Sequence, residues 1–304
     1  MLNKTTNKHN AFWAHAGALI TVTTWGVSFV STKVLLENGL GPAEIYIYRF
    51  VLAYLMLLIA CHKRLWSNSL RDEFLFMTCG LCAGSIYFIA ENMALNYTYV
   101  TNVSLLVTTS PLITTLLMWI IYKNEKPGKG TLLGSIIAFA GVACVIFNSS
   151  FDVQVNPLGD ILSILAAVSW SVYSLVLKKL NALYSVMFIS RKTFFYGVLT
   201  ALPFMFFQPE LCSPSVLLRT EVWSNLLFLG AFASMIAYIL WAQSVKYLGA
   251  IKASNYMYIS PILTLIASVA LLGENISIIG CTGCALILCG MWLSEYLARK
   301  NAQK

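Results

Sequence analysis

Charge is the scarcest feature of this 304-residue sequence. Only 11% of its residues are Asp, Glu, Lys or Arg, whereas 59% are hydrophobic. A soluble domain averages about 25% charged residues. With a mean hydropathy of +0.75, the chain has too few polar side chains to cover a surface that faces water. The composition therefore excludes a soluble globule and predicts a protein whose solvent is lipid.

Residues that build common catalytic and metal sites are scarce as well. The only histidines are His9, His15 and His62. The sequence has no Gly-x-x-x-x-Gly-Lys-Ser/Thr, His-Glu-x-x-His or Gly-x-Ser-x-Gly motif. Most of the eight cysteines lie inside apolar runs, so we interpret them as packing residues, although two Cys-x-x-Cys pairs have a metal-like spacing. We expect no enzyme, no cofactor and no metal site.

What the sequence has in abundance is long apolar runs. A helix needs about 20 apolar residues to cross the hydrocarbon core of a bilayer. The segments between the runs are too short for a catalytic or nucleic-acid-binding domain. We expect an all-α membrane protein with ten transmembrane helices. The predicted spans are 14–36, 44–61, 74–95, 100–122, 130–148, 158–178, 186–207, 222–245, 251–273 and 277–297.

The basic residues between the spans indicate orientation. If the N-terminus is cytoplasmic, fifteen Lys and Arg residues fall in cytoplasmic segments, and only Arg219 falls in an outside loop. Lys and Arg are enriched in cytoplasmic loops of membrane proteins. This bias accounts for the net charge of +8 without a nucleic-acid partner. It predicts a multi-pass protein of the plasma membrane, or the inner membrane in a bacterium, with both termini in the cytoplasm.

The two halves of the chain resemble each other. Tyr97 and Pro111 are fourteen residues apart, as are Tyr247 and Pro261. An odd number of helices in each half makes the second copy enter from the opposite side, which is the inverted-repeat plan of many transporters. We therefore predict two inverted five-helix repeats. Further matched pairs are Trp25/Lys33 with Trp170/Lys178, Gly134/Gly141 with Gly283/Gly290, and Arg49 with Arg191.

These residues resemble a known family. The segment Trp241-Ala-Gln-Ser-Val-Lys-Tyr-Leu-Gly-Ala-Ile-Lys-Ala-Ser, with Ser260-Pro261 and Leu272-Gly273-Glu274, resembles the second EamA domain of the drug/metabolite transporter superfamily. Ala94-Leu95-Asn96-Tyr97, Ser110-Pro111 and Asn124-Glu125 resemble the first, and Arg49 resembles the family's helix-two arginine. The resemblance implies EamA repeats at 14–148 and 158–298. It also implies a cavity lined mainly by helices one, three, four, six, eight and nine.

Ionisable residues inside a span are costly, so each is a candidate for function. Glu91 would hold a substrate ammonium or carry a proton, or it would form a structural ion pair with Arg49 or Lys33. Arg49 and Arg191 would be structural anchors or ligands of a carboxylate, which suits a guanidinium fork. We expect Lys192 to extend its amine to the headgroups.

Polar and aromatic side chains share faces on several predicted spans. They would line a substrate site or, alternatively, fasten helices together. Pro111 and Pro261 are expected to kink their helices, as gates or as static bends. The Gly134/Gly141 and Gly283/Gly290 pairs should allow helices five and ten to pack closely. The candidate substrate-binding residues are Trp25, Ser28, Tyr87, Glu91, Trp170, Tyr173, Tyr238, Trp241, Asn255 and Tyr258.

The features together predict a secondary transporter that works by alternating access. Its expected substrate is a small metabolite, an amino acid or similar zwitterion, because aromatic groups and both signs of charge are predicted in the same chamber. Members of the resembled family include exporters, so export is the expected direction. The alternative is a carrier of a nucleotide sugar or an organic anion. The expected partners are the substrate and the lipid bilayer, with the chain a monomer or homodimer.

Overall fold

The computed structural model describes residues 2–302 except 63, 95–96, 98–99, 123–127, 147–155, 206–210, 264–265 and 267–276. Within these ranges the chain is helical and contains no strand, which confirms the all-helical prediction for the described part. The helices are α1 (Leu2–Glu37), α2 (Pro42–Ala60), α3 (Leu70–Ala94), α4 (Val100–Val107), α5 (Ser110–Ile121), α6 (Lys129–Ile146), α7 (Pro157–Asn181), α8 (Val186–Met205), α9 (Pro214–Leu217), α10 (Thr220–Leu248), α11 (Ala250–Asn255) and α12 (Ile278–Ala302).

Four of the described helices are long and apolar enough to cross a bilayer: α2, α3, α7 and α10. They coincide with four of the predicted spans. Three further stretches, Leu105–Ile121, Lys129–Val145 and Ile278–Ser294, are apolar but shorter. The chain is therefore a multi-pass membrane protein, and the full count of ten spans stays a prediction.

Local sequence signals place the starts of two central helices. Pro157 begins α7, and the side chain of Asn156 accepts hydrogen bonds from the backbone N–H groups of Leu158 and Gly159 at 3.1 and 3.3 Å. Pro42 likewise begins α2, where the Glu44 carboxylate accepts from the Gly41 backbone N–H at 2.8 Å. A proline in the first turn and an acceptor for the free N–H groups are typical helix-start signals.

The helices of the two halves pack against each other reciprocally. Helix α1 packs on α10, and α7, the matching helix of the second half, packs on α3. Helix α2 packs on its counterpart α8, and α6 packs on α12 along much of their length. The centre of the bundle is thus formed by α1, α3, α7 and α10, with α2 and α8 beside them.

Glycines allow α6 and α12 to touch backbone to backbone. A Cβ on Gly134 would lie 2.5 Å from the Gly290 carbonyl oxygen, and one on Gly141 would lie 2.7 Å from the Gly283 carbonyl oxygen. Side chains cannot fit at such distances, because real Cβ atoms do not approach other atoms this closely. The predicted close packing at these four glycines is confirmed.

The helices that contain the two prolines are interrupted just before the proline. A turn at Thr108 and Thr109 separates α4 from α5, and Pro111 follows in the first turn of α5. In the second half, α11 passes into a 3₁₀ turn at Tyr256–Ile259, and Pro261 follows in the helical residues 260–263. The prolines thus mark two breaks at corresponding places, because a proline cannot donate the helical hydrogen bond.

The prediction for Lys192 is wrong. Its side chain is only 5% exposed, and its Nζ lies 2.8 and 3.0 Å from the two carboxylate oxygens of Glu73. Glu73 also accepts hydrogen bonds from the Tyr196 hydroxyl and the Ser67 backbone N–H. Helix α3 begins at Leu70, so Glu73 lies in its first turn, where α3 packs against α8. The amine therefore finds a carboxylate nearby and does not extend to the headgroups.

Lys192→Met is expected to destabilise the fold by about 3 kcal/mol, or roughly 6–12 °C in the thermal midpoint, because it leaves a half-buried carboxylate without its cation. Thermal unfolding of the purified protein in detergent measures the change. Lys179→Met is the control, since Lys179 is an exposed cation near the end of α7. Equal midpoints for the two variants would contradict a stabilising role for the Lys192–Glu73 pair.

Candidate functional site

Five aromatic rings from three helices meet at the centre of the bundle. Trp25 comes from α1, Trp170 and Tyr173 from α7, and Tyr238 and Trp241 from α10. The Trp25 ring centroid lies 5.1 Å from that of Trp170 and 5.3 Å from that of Trp241. Trp170 lies 5.9 Å from Trp241 and 5.1 Å from Tyr173. We call these five residues the aromatic cluster. All its members except Trp25 are at most 3% exposed.

A buried carboxylate adjoins the aromatic cluster. The Tyr87 ring of α3 lies 5.3 Å from the Trp170 ring, and the Tyr87 hydroxyl donates to Glu91 Oε1 at 3.2 Å. Glu91 follows one helical turn later on the same face and is 5% exposed. The structure thus brings Tyr87 and Glu91 together with the cluster.

Arg49 does not neutralise Glu91 by direct contact. Its Nε donates to the Ser234 hydroxyl at 2.9 Å, and its guanidinium carbon lies 4.8 Å from the Phe88 ring centroid and 5.6 Å from that of Phe50. Among the described residues, Arg49 and Glu91 make no ion pair at 4.0 Å or less. A cation over an aromatic face is held by the ring's quadrupole, so Arg49 has other partners. The structural Glu91–Arg49 pair does not form.

Two π-helical segments supply carbonyl oxygens to the aromatic cluster. One spans Leu81–Ser85 in α3, and the other spans Phe228–Ile236 in α10. The Tyr238 hydroxyl donates to the Ala83 carbonyl at 2.6 Å, and the Trp25 indole N–H donates to the Ala233 carbonyl at 3.0 Å. Such segments change the backbone hydrogen-bond register and often occur at functional sites. Ala83 and Ala233 are 150 residues apart, as are Tyr97 and Tyr247, so the two acceptor carbonyls occupy matching positions of the two halves.

Two candidate residues lie elsewhere. Tyr258 is fully buried but packs with Ala138 and Val142 of α6. Asn255 places its Nδ2 3.5 Å from the Ser294 hydroxyl of α12. The structure therefore puts both at the α6–α12 side of the bundle and not in the aromatic cluster.

The remaining candidates have local roles in the described structure. The Ser28 hydroxyl donates to the carbonyl of Trp25 in its own helix at 2.8 Å. Arg191 donates to the backbone carbonyls of Cys61 and Arg64 and so closes the end of α2. The side chain of Lys33 lies outside the described part of the chain. The gating roles of the two prolines stay predictions.

Sequence reasoning missed the aromatic side chains that surround Arg49. Phe50 and Phe88 lie under its guanidinium, and Tyr46 stacks 4.4 Å from Phe50. Tyr46 and Phe50 are four residues apart on α2, a spacing that puts them on one helix face beside Arg49. This spacing could have predicted the aromatic contacts of Arg49 from the sequence. The π-helical segments, by contrast, have no sequence signature of comparable clarity.

The comparisons with known proteins agree with this architecture. The model of the EamA-like transporter family matches residues 12–147 and 157–296. An uncharacterized transporter of Archaeoglobus fulgidus is 26% identical over 285 residues, covering 92% of this chain and 96% of the relative. An uncharacterized transporter of Clostridium kluyveri is 25% identical over 294 residues, covering 93% of each.

A solved structure described only as a crystal structure of a protein has a similar fold. Its TM-score is 0.77 at 19% identity, and the match covers 96% of this chain and 98% of the other. An identity this low supports the fold alone. The family match extends over nearly the whole chain in two consecutive segments, and the relatives are named as transporters. The chain therefore belongs to the EamA-like transporter family and is a membrane transporter.

Proposed function

We propose that this protein is a secondary carrier that exports a small zwitterionic metabolite, an amino acid or a close analogue, across the plasma membrane. One observation carries the proposal: Glu91 is buried beside the aromatic cluster, and its described hydrogen-bond partner is a neutral hydroxyl, that of Tyr87. Among the described residues no cation lies within 4.0 Å of the Glu91 carboxylate, and a buried carboxylate without such a partner is costly in a membrane protein. A substrate ammonium would remove that cost.

The transport cycle we propose is alternating access between two inverted repeats of five spans each, with both termini in the cytoplasm. The reciprocal packing of α1 on α10 and of α7 on α3 supports this, since each half contributes the same kind of contact. So do the carbonyls of Ala83 and Ala233, which occupy corresponding positions and each accept a hydrogen bond from the other half. Two similar halves can exchange conformations, so that closing one side of the chamber opens the other.

The aromatic cluster is suited to a cationic group with an apolar body. Trp and Tyr faces attract an ammonium through their quadrupoles, and the attraction grows when water is excluded. Here the ring faces and the Glu91 carboxylate lie on neighbouring helices, with Tyr87 in contact with both. We favour this class over an organic anion because the buried cation Arg49 is already held by Ser234 and Phe88.

Solute counterflow in proteoliposomes tests the proposal. The purified protein is reconstituted into vesicles loaded with one unlabelled L-amino acid at millimolar concentration, and uptake of the same labelled amino acid is followed, for each of the twenty in turn. We expect saturable, transient accumulation for a subset of them. Vesicles without protein are the control. Absence of counterflow for every amino acid would refute the substrate class, and linear uptake without saturation would indicate a channel.

A further inference from the structure

Two indole N–H groups in the aromatic cluster have no acceptor. The Nε1 atoms of Trp170 and Trp241 are buried and make no hydrogen bond in the described structure. The third indole, that of Trp25, differs because it donates to the Ala233 carbonyl at 3.0 Å. Trp170 and Trp241 are 3% and 0% exposed, so bulk water does not accept hydrogen bonds from their indole N–H groups.

A buried donor without an acceptor has a cost. Leaving such a group unsatisfied costs about 1–3 kcal/mol, and a tryptophan used only for packing usually finds a partner for its N–H. Phenylalanine at these positions would fill most of the same space without this cost. Two such donors lie on adjacent rings whose centroids are 5.9 Å apart. They therefore point to an acceptor that receives their hydrogen bonds when the substrate is bound.

The chemistry of the indole defines the missing group. An indole N–H donates and cannot accept, so an ammonium is excluded and an oxygen anion or carbonyl is required. A carboxylate is the strongest such acceptor on a small metabolite, because hydrogen bonds to ionised groups are roughly twice as strong as neutral ones. The sequence offers Arg49 and Arg191 as anchors or carboxylate ligands. Arg49, however, is engaged with Ser234 and Phe88. Arg191 is engaged with backbone carbonyls.

The aromatic cluster and Glu91 together offer hydrogen-bond donors at one place and a negative charge at another. Trp170 contacts both Trp241 and Tyr87, at centroid distances of 5.9 and 5.3 Å. Tyr87 in turn donates to Glu91. Going from Trp241 to Glu91, the site passes from free hydrogen-bond donors through aromatic faces to a negative charge.

We propose that the indole N–H groups of Trp170 and Trp241 bind the carboxylate of the transported zwitterion, while Glu91 takes its ammonium. This assignment rests on the proposed function. It makes the two tryptophans specificity-determining residues: they distinguish an amino acid from the corresponding amide or amine, which keep the ammonium and lack the carboxylate.

The test compares three ligands that differ only at this group. Leucine, leucinamide and 3-methylbutylamine, and the matching series of phenylalanine, compete for counterflow of the best transported amino acid. For the wild-type protein we expect the acid to inhibit at least about tenfold more strongly than the amide or amine, the discrimination that two hydrogen bonds of ordinary net strength supply together. Trp170→Phe and Trp241→Phe should each reduce that ratio to about threefold or less.

The control is Trp25→Phe. It removes an indole from the same cluster, but one whose N–H is already bonded to Ala233. Its ratio of acid to amide inhibition should match that of the wild type, even if its transport rate falls. For a variant that shows no counterflow because it no longer transports, the rise of the thermal midpoint in detergent is measured against the concentration of each of the six ligands. This rise gives the ratio of acid affinity to amide or amine affinity.

The outcomes separate this inference from the proposed function. Counterflow with an unchanged ratio in both Trp170→Phe and Trp241→Phe overturns the carboxylate assignment and leaves the carrier intact. A wild-type protein that accepts amide and acid equally overturns it as well. Absence of saturable exchange for any amino acid refutes the proposed function itself.

Discussion

Glu91→Gln is expected to reduce amino-acid counterflow at least about 30-fold, since removing one partner of a buried charge interaction costs about 2–5 kcal/mol. The glutamine keeps the size of the side chain and its contact with the Tyr87 hydroxyl, but it offers no charge to an ammonium. Glu91→Asp retains the charge and should keep partial activity. The matched control is Glu221→Gln, the same chemical change at an exposed position in the first turn of α10.

Two assays on the Glu91→Gln vesicles separate binding from proton coupling. Counterflow at equal pH requires substrate binding and exchange across the membrane but no proton gradient, whereas accumulation driven by a pH gradient also requires a proton carrier. If Glu91 binds the ammonium, both are lost. If it only carries a proton, counterflow survives and gradient-driven accumulation disappears. Normal pH-dependent accumulation in the variant would remove Glu91 from the mechanism altogether.

The variant should not fail through misfolding. A buried carboxylate that forms no ion pair with Arg49 destabilises the fold, so a neutral glutamine is expected to leave the thermal midpoint unchanged or to raise it. The midpoint in detergent therefore accompanies each transport measurement. A large loss of stability in Glu91→Gln would mean that the carboxylate is structural.

Gly290→Leu is expected to prevent folding, because α6 and α12 touch at this residue. A Cβ there would lie 2.4 Å from the Ala138 backbone nitrogen and 2.6 Å from the Gly134 carbonyl oxygen. Backbone atoms cannot turn aside as a flexible side chain can, so the helices must separate along their shared face. The yield of monodisperse protein after size-exclusion chromatography measures the effect.

Gly290→Ala gives a graded version of the same experiment. The added methyl group should cost about 1–3 kcal/mol, the usual cost of overpacking. The control is Gly17→Ala in α1, where the new Cβ would meet the Leu240 and Ser244 side chains at 3.5 Å, an ordinary contact. Gly17→Ala should therefore leave the thermal midpoint nearly unchanged. Equal stability of the two alanine variants would contradict the packing of α6 on α12.

The sequence predicted the features that depend on residue type alone. Long apolar runs indicated helices in lipid, the matched glycines indicated a close helix crossing, and the prolines indicated breaks at two corresponding places. Of the ten residues it named as one substrate-binding group, the structure brings seven together, since periodicity assigns each side chain to a helix face. The seven are Trp25, Tyr87, Glu91, Trp170, Tyr173, Tyr238 and Trp241.

The misses all concern which partner a side chain meets. Lys192 was expected at the headgroups but binds Glu73, and Asn255 and Tyr258 lie beside α6 and α12. These outcomes depend on how far each helix is rotated about its axis and where it is broken. Neighbouring helices set both, so a single helix carries little information about them.

By itself, then, the amino-acid sequence determined the solvent of this protein, its helical segments and the residue types available for a site, because hydropathy and backbone preference are local properties. Only the tertiary structure decided that Arg49 and Glu91 stay apart and that the π-helical carbonyl of each half accepts a hydrogen bond from the other half. It also decided that two of the three indoles in the cluster have no acceptor among the described residues. Each of these depends on distances between helices, and packing alone sets those distances.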